Sequence, residues 1–74
     1  MTPFLQISGD KAIAIFKRRG FAQVSQRGSH VKLRDADGHC VIIPRHPTLA
    51  QGTLNSILAQ AGVSFEEFAR WLRA

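Results

Sequence analysis

The hydrophobic pattern of this chain changes its period twice, and those changes limit the fold more than any other feature. Before Gly20, apolar residues recur at the spacing of a helix. Across residues 21–43 they alternate or form short β-branched runs, and after Gly52 the helical spacing returns. A chain of 74 residues has room for one core. The pattern therefore predicts a single α+β domain spanning residues 1–74.

The first helix is expected over residues 9–19. Ser8 is a typical N-cap residue, because its side chain can accept a hydrogen bond from the first turn. Gly20 is a typical left-handed residue after a helix end. With that ending, Phe16 and Phe21 form the hydrophobic pair of a Schellman motif.

An antiparallel meander follows this helix, and turn signals divide it. Its three strands are expected at residues 21–27, 29–34 and 39–43. Arg27-Gly28 is a plausible tight turn, and residues 35–38 (Asp-Ala-Asp-Gly) are a strong turn signal. Pro44 is expected to stop the third strand, because proline has no N–H for the ladder.

Two more helices are expected after a loop at residues 45–51. Thr53 is a candidate N-cap for the first of them, and Gly62 is a candidate stop. Ser64 and Glu67 form a capping box that opens a last short helix. The predicted order is α-β-β-β-α plus the short C-terminal helix, with the helices on one face of a three-stranded sheet.

The second strand carries the most informative polar pattern. Val31 and Leu33 share one face, so His30, Lys32 and Arg34 share the other, about 7 Å apart along the strand. RNA supplies its own nucleophile, the 2′-hydroxyl, and its cleavage needs a base, an acid and positive charge. This row can provide these groups without a metal or cofactor. From the pattern alone, an ordinary polar surface strand is the favoured interpretation.

The charge distribution also favours an anionic partner. The chain has ten Lys and Arg residues against five Asp and Glu residues, and its net charge is +5. Residues 17–34 contain six basic residues and no acidic one. Such a segment suits nucleic acid, although an acidic protein or an anionic lipid surface would also fit. The small size excludes a multi-step cofactor enzyme.

The sequence does not predict a metal site. His30, His39, Cys40 and His46 are suitable zinc ligands by type, but His39 and Cys40 are strand neighbours that point to opposite faces. Cys40 is expected to be a small buried apolar residue. A single cysteine fits the reducing cytoplasm, and no segment is apolar and long enough for a signal peptide or membrane span.

Several short motifs resemble the HicA family, small toxins of type II toxin–antitoxin systems described as mRNA interferases. The motifs lie in the same order and at similar spacing over residues 8–68. They are Gly28-Ser29-His30, Ile43-Pro44-Arg45-His46-Pro47 and Gly52-Thr53-Leu54-Asn55-Ser56-Ile57-Leu58. The chain departs from the family pattern in two ways: residues 48–51 lack the usual Lys and Glu, and Val31 replaces a polar or aromatic residue.

The resemblance implies a fold similar to double-stranded RNA-binding domains, a catalytic His30, a HicB-like antitoxin and mRNA as the substrate. The leading hypothesis is therefore a metal-independent endoribonuclease with His30 as general acid/base and His46 as a possible auxiliary group. The expected phosphate-binding residues are Ser29, Lys32, Arg34 and Arg45. The alternative hypotheses are a non-catalytic RNA-binding module of the same fold and a basic face that binds an acidic protein.

Overall fold

The computed structural model describes residues 6–74 as three helices and a three-stranded antiparallel sheet. The elements are, in chain order, α1 (Gly9–Arg18), β1 (Ala22–Arg27), β2 (His30–Arg34), β3 (Cys40–Pro44), α2 (Gln51–Ala61) and α3 (Phe65–Arg73). The strands lie in the order β1-β2-β3. This confirms the predicted α+β fold and element order. Among residues 6–74 no helix is long and apolar enough to cross a membrane.

The predicted capping motifs at both ends of α1 are confirmed by their hydrogen bonds. The Ser8 side chain accepts a 3.0 Å bond from a backbone N–H in the first turn. At the other end, Gly20 has a φ of +95°, and the Phe21 N–H donates to the Phe16 carbonyl at 3.1 Å. These are the features of a Schellman motif. The helix ends at Arg18, one residue earlier than predicted.

β3 ends at Pro44, as predicted, but the proline is itself the last residue of the strand. It is the cross-strand partner of His30 at the end of the β2–β3 pairing. Two residues earlier, the Ile42 N–H points away from β2 and donates to Gln60 Oε1 at 3.2 Å. The nitrogen of Pro44 has the same outward direction, because backbone groups alternate along a strand. Its missing N–H therefore costs no ladder hydrogen bond on this edge strand.

The core lies between the helices and one face of the sheet. Val31, Leu33, Val41 and Ile43 project into it from β2 and β3, whereas all residues of β1 are exposed. On the helical side, Phe16 is fully buried at the centre of an aromatic cluster. The centre of its ring lies within 6.0 Å of the ring centres of Phe21, Phe68 and Trp71.

Helix α2 begins three residues before the predicted position, at Gln51. Its N-cap is Ala50, which makes no side-chain cap hydrogen bond, and Thr53 lies within the first turn. Leu49 explains the difference, because it is buried and its N–H donates to the Ile7 carbonyl at 2.8 Å. This anchor fixes the chain immediately before Gln51, so tertiary packing sets the helix start here.

The junction between α2 and α3 follows the predicted local signals. Gly62 has a φ of +71°, and the Val63 N–H donates to the Leu58 carbonyl at 3.0 Å. The Ser64 hydroxyl then accepts a 3.1 Å bond from the Glu67 N–H, which caps α3. These bonds confirm the Schellman ending of α2 and the side-chain N-cap of α3.

Candidate functional site

The face of the sheet that points away from the helices carries the candidate site, and we call it the outer face. Along β2, Val31 and Leu33 are buried, whereas His30 and Arg34 are exposed and Lys32 is half-buried. The predicted row of three polar side chains therefore shares this face. Alternate residues of a strand are about 7 Å apart, so one RNA backbone can reach neighbouring members of the row.

The neighbouring strands add further side chains to the outer face. On β1, Arg27 is the partner of His30, and Ser25 is the partner of Lys32. On β3, Ile42 lies opposite Lys32 and is 47% exposed. A shallow depression of about 430 Å³ is lined by Ser25, Arg27, His30, Lys32 and Ile42. The histidine thus lies in a concave, cationic surface with an apolar side.

The positive charge of this face is not neutralised within the described chain. In residues 6–74, Arg27, Lys32 and Arg34 have no carboxylate oxygen within 4.0 Å. Such cations are available to phosphate oxygens, for which guanidinium and ammonium groups are the usual protein partners. The electrostatics of the outer face therefore suit a polyanion.

Cys40 lies on the outer face as well, so the expectation of a buried cysteine was wrong. It is half-exposed and is the cross-strand partner of Arg34. The Arg34 Nε donates to its Sγ at 3.3 Å, and this hydrogen bond raises the pKa of the guanidinium further. The reason is the register, since Val41 and Ile43 occupy the buried positions of β3.

A two-residue turn, Gly28-Ser29, holds His30 at the start of β2. Gly28 has a φ of +54° at the first central position, where glycine is favoured in hairpin turns of type II′. The Ser29 carbonyl accepts a 2.7 Å hydrogen bond from the Arg45 N–H, which joins the turn to the end of β3. Ser29 is exposed next to His30, as the candidate site requires.

Arg45 lies on the other side of the sheet, and the structure does not bring it to His30. Its side chain is bound to Asp10 of α1, with Nε 2.7 Å from Oδ1. The hydrogen bond from Arg45 holds the pKa of this carboxyl below its usual range. Both residues line a separate cleft with Lys17 and Gln26. Arg45 therefore joins α1 to the end of β3.

The other two histidines are held by different parts of the fold. His39 lies in the β2–β3 turn, about 17 Å along the hairpin from His30. Its ring nitrogen Nδ1 is 2.9 Å from Asp35 Oδ2, and its backbone N–H donates to Asp35 Oδ1 at 2.7 Å. His46 follows β3, and its carbonyl accepts a bond from the Gly9 N–H. The structure therefore separates His39 from the candidate site.

The same turn contains the one metal-compatible group found in residues 6–74. Ligand atoms of Asp35, Asp37 and His39 lie within 4.8 Å of one another. Desolvation alone would raise the pKa of Asp35, but hydrogen bonds from the His39 ring and backbone lower it overall. The Asp35 carboxylate also accepts from the Asp37 N–H at 3.0 Å. These hydrogen bonds within the β2–β3 turn explain why the three side chains lie close together.

A comparison with protein families decides the relationship suggested by the sequence motifs. A family model described as the HicA toxin of bacterial toxin-antitoxin matches residues 9–63. The chain belongs to the HicA toxin family. A search of the curated proteins found no match. As a HicA toxin, the protein belongs to a toxin–antitoxin system, and this membership implies a cognate antitoxin.

The HicA match includes the sheet and the first two helices, whereas α3 follows it. This C-terminal helix nevertheless completes the core of the toxin. Phe68 is fully buried against Phe16, and Trp71 contacts both rings. The Arg19 guanidinium lies 5.2 Å from the centre of the Trp71 ring, which fastens α3 to the end of α1.

Sequence reasoning missed the contribution of β1 to the HicA outer face. Arg27, Ser25 and Ile42 were not among the candidate site residues, although they surround His30 and Lys32. A signal was available, because a two-residue turn makes the residues on either side of it direct partners. Counting outward from Gly28-Ser29 pairs Arg27 with His30.

Proposed function

We propose that this HicA toxin is an endoribonuclease that cleaves mRNA on its outer face, with His30 as general acid and base. The observation that carries the proposal is the exposed imidazole among cations that have no carboxylate partner in residues 6–74. Membership of the HicA family is consistent with this activity.

The proposed reaction needs one group that accepts and then donates a proton, and it needs no external reactant. The His30 imidazole accepts the proton of the RNA 2′-hydroxyl while its oxygen attacks the adjacent phosphorus. The bond from phosphorus to the 5′-oxygen then breaks, and the imidazolium returns the proton to that oxygen. The products are a 2′,3′-cyclic phosphate and a 5′-hydroxyl, and His30 is restored to its initial state. This chemistry requires neither a metal nor a cofactor.

Lys32 and Arg34 are the first candidates for phosphate binding, because they share the face and strand of His30. Ser29 can donate its hydroxyl to the same phosphate from the adjoining turn. Arg45 is bound to Asp10 on the helical side of the sheet. It therefore contacts RNA only where the RNA chain continues past the end of β3. His46 follows the same end and keeps its proposed auxiliary role there.

We also propose that the cognate antitoxin is HicB-like and acts by covering the outer face. A partner with a carboxylate-rich surface would complement the unpaired cations there and exclude RNA from His30. In this arrangement the substrate and the antitoxin compete for the same charges.

The test is replacement of His30 by alanine, with RNA integrity followed for the purified protein and in expressing cells. A general acid/base group contributes about 10²–10⁴-fold, so His30→Ala should abolish detectable cleavage and toxicity. His39→Ala is the matched control, because that histidine is exposed but remote, and it should cleave like the wild type. Cleavage by His30→Ala at the wild-type rate would contradict the catalytic assignment. RNA binding without cleavage by the wild type would favour the non-catalytic RNA-binding module.

A further inference from the structure

Arg27 occupies a special position relative to His30. The two residues are direct cross-strand partners on either side of the Gly28-Ser29 turn. Side chains of such partners project from the same face, with Cβ atoms about 4.5–5.5 Å apart. Both are exposed, and both line the depression on the outer face. The hairpin itself therefore holds a guanidinium beside the imidazole.

The side chain of Arg27 is also unengaged in residues 6–74, where it makes no hydrogen bond or ion pair. The other two arginines of the sheet region differ, because Arg34 is bonded to Cys40 and Arg45 to Asp10. The neighbouring Gln26 stabilises the turn instead, through a 2.9 Å bond from its Nε2 to the Gly28 carbonyl. The turn is thus fixed while the Arg27 guanidinium keeps its donors free for a ligand.

We propose that Arg27 is a second catalytic residue, whose guanidinium binds the two non-bridging oxygens of the scissile phosphate. This inference rests on the proposed ribonuclease function. Attack by the 2′-oxygen converts a phosphodiester with one negative charge into a phosphorane with two, so the need for positive charge is greatest in the transition state. A guanidinium matches two phosphate oxygens with parallel N–H donors, which an ammonium group cannot do. Lys32 then contacts the next phosphate along the strand.

The experiment measures single-turnover cleavage of a labelled mRNA transcript by the full chain across a range of protein concentrations. Arg27→Ala should lower the rate constant at saturating protein roughly 10²-fold, with a much smaller rise in the half-saturating concentration. Arg27→Lys should lower this rate constant less, because lysine keeps the positive charge but lacks the two parallel N–H donors. Arg70→Ala is the matched control, since it removes the same charge from an exposed position of α3 and should cleave like the wild type.

Measuring His30→Ala in parallel separates this proposal from the function on which it rests. An Arg27→Ala protein with the wild-type rate constant, beside an inactive His30→Ala protein, would overturn the role of Arg27 alone. A change confined to the half-saturating concentration would also overturn it, because Arg27 would then only bind RNA. Wild-type cleavage by His30→Ala would instead overturn the ribonuclease site. If Arg27→Ala does not fold, as judged by circular dichroism, Arg27→Gln provides the same measurement with a polar side chain of similar length.

Discussion

Replacement of Gly9 by alanine is predicted to destabilise the toxin, although such a change usually stabilises a helix. Gly9 is the buried first residue of α1, packed against the end of β3. A Cβ at this position would overlap the Pro44 carbonyl oxygen and come within 2.8 Å of its carbon and 2.9 Å of Arg45 Cα. All three are backbone atoms, so no side chain can rotate away to make room.

The magnitude follows from two opposing effects. Alanine in place of glycine adds up to about 1 kcal/mol of helix stability. Forcing a methyl group into a packed interface costs roughly 1–3 kcal/mol, and the shift of α1 would also strain the 2.9 Å bond from the Gly9 N–H to the His46 carbonyl. The net prediction is a loss of about 1–2 kcal/mol in the free energy of unfolding.

The assay is urea unfolding followed by circular dichroism, with all variants carrying His30→Ala, which the proposed mechanism expects to be inactive. Gly52→Ala is the matched control, because Gly52 also lies in the first turn of a helix but has open space around its Cβ position. It should be as stable as the parent or slightly more stable.

Equal or greater stability of Gly9→Ala would refute the reasoning, because it would mean that α1 can move away from Pro44 and Arg45 at little cost. A loss of stability in Gly52→Ala as large as that in Gly9→Ala would also count against it. The effect would then come from the helix start in general rather than from the contact with β3.

The remaining predictions concern the core, the charges and the metal requirement. Phe68→Ala should cost about 3–5 kcal/mol in urea unfolding, because the ring is fully buried in α3 against the core; a loss below about 1 kcal/mol would make α3 dispensable. In the His30→Ala background, Lys32→Ala and Arg34→Ala should each reduce the log–log salt slope of RNA binding by roughly 0.7, and an unchanged slope would place the RNA elsewhere. Asp35 has a pKa below its ordinary value of 3.8 in the folded state, so its stabilising effect is present above pH 3.8 and is lost as the pH falls. The stability difference between wild type and Asp35→Asn should therefore shrink in acid, and a constant difference would contradict this. RNA cleavage should survive EDTA, whereas inhibition restored by zinc or magnesium would contradict a metal-free reaction.

The parts of the fold that depend on local hydrogen bonds could be predicted from the sequence. Gly20 and Gly62 end their helices where predicted, to within one residue, because a Schellman motif involves only neighbouring residues. The start of α2 could not be predicted in this way. It depends on Leu49 being buried in the core and bonded to Ile7, a contact between distant parts of the chain.

The site shows the same division between local and distant information. Strand alternation was sufficient to place His30, Lys32 and Arg34 together on the outer face. It gave no account of Pro44, because the tolerance of proline depends on which backbone positions of β3 face outward at the sheet edge. The pairing of Arg45 with Asp10 likewise requires the packing of α1 against β3.

The most direct test of the proposed mechanism is the chemistry of the RNA ends left by the purified protein in EDTA. If His30 activates the 2′-hydroxyl of the substrate, the fragments carry 2′,3′-cyclic phosphate and 5′-hydroxyl ends, and the His30→Ala protein produces neither. Fragments with 5′-phosphate ends, or the same fragments from His30→Ala, would contradict the account, because the attacking oxygen or the proton-transfer group would then be a different one.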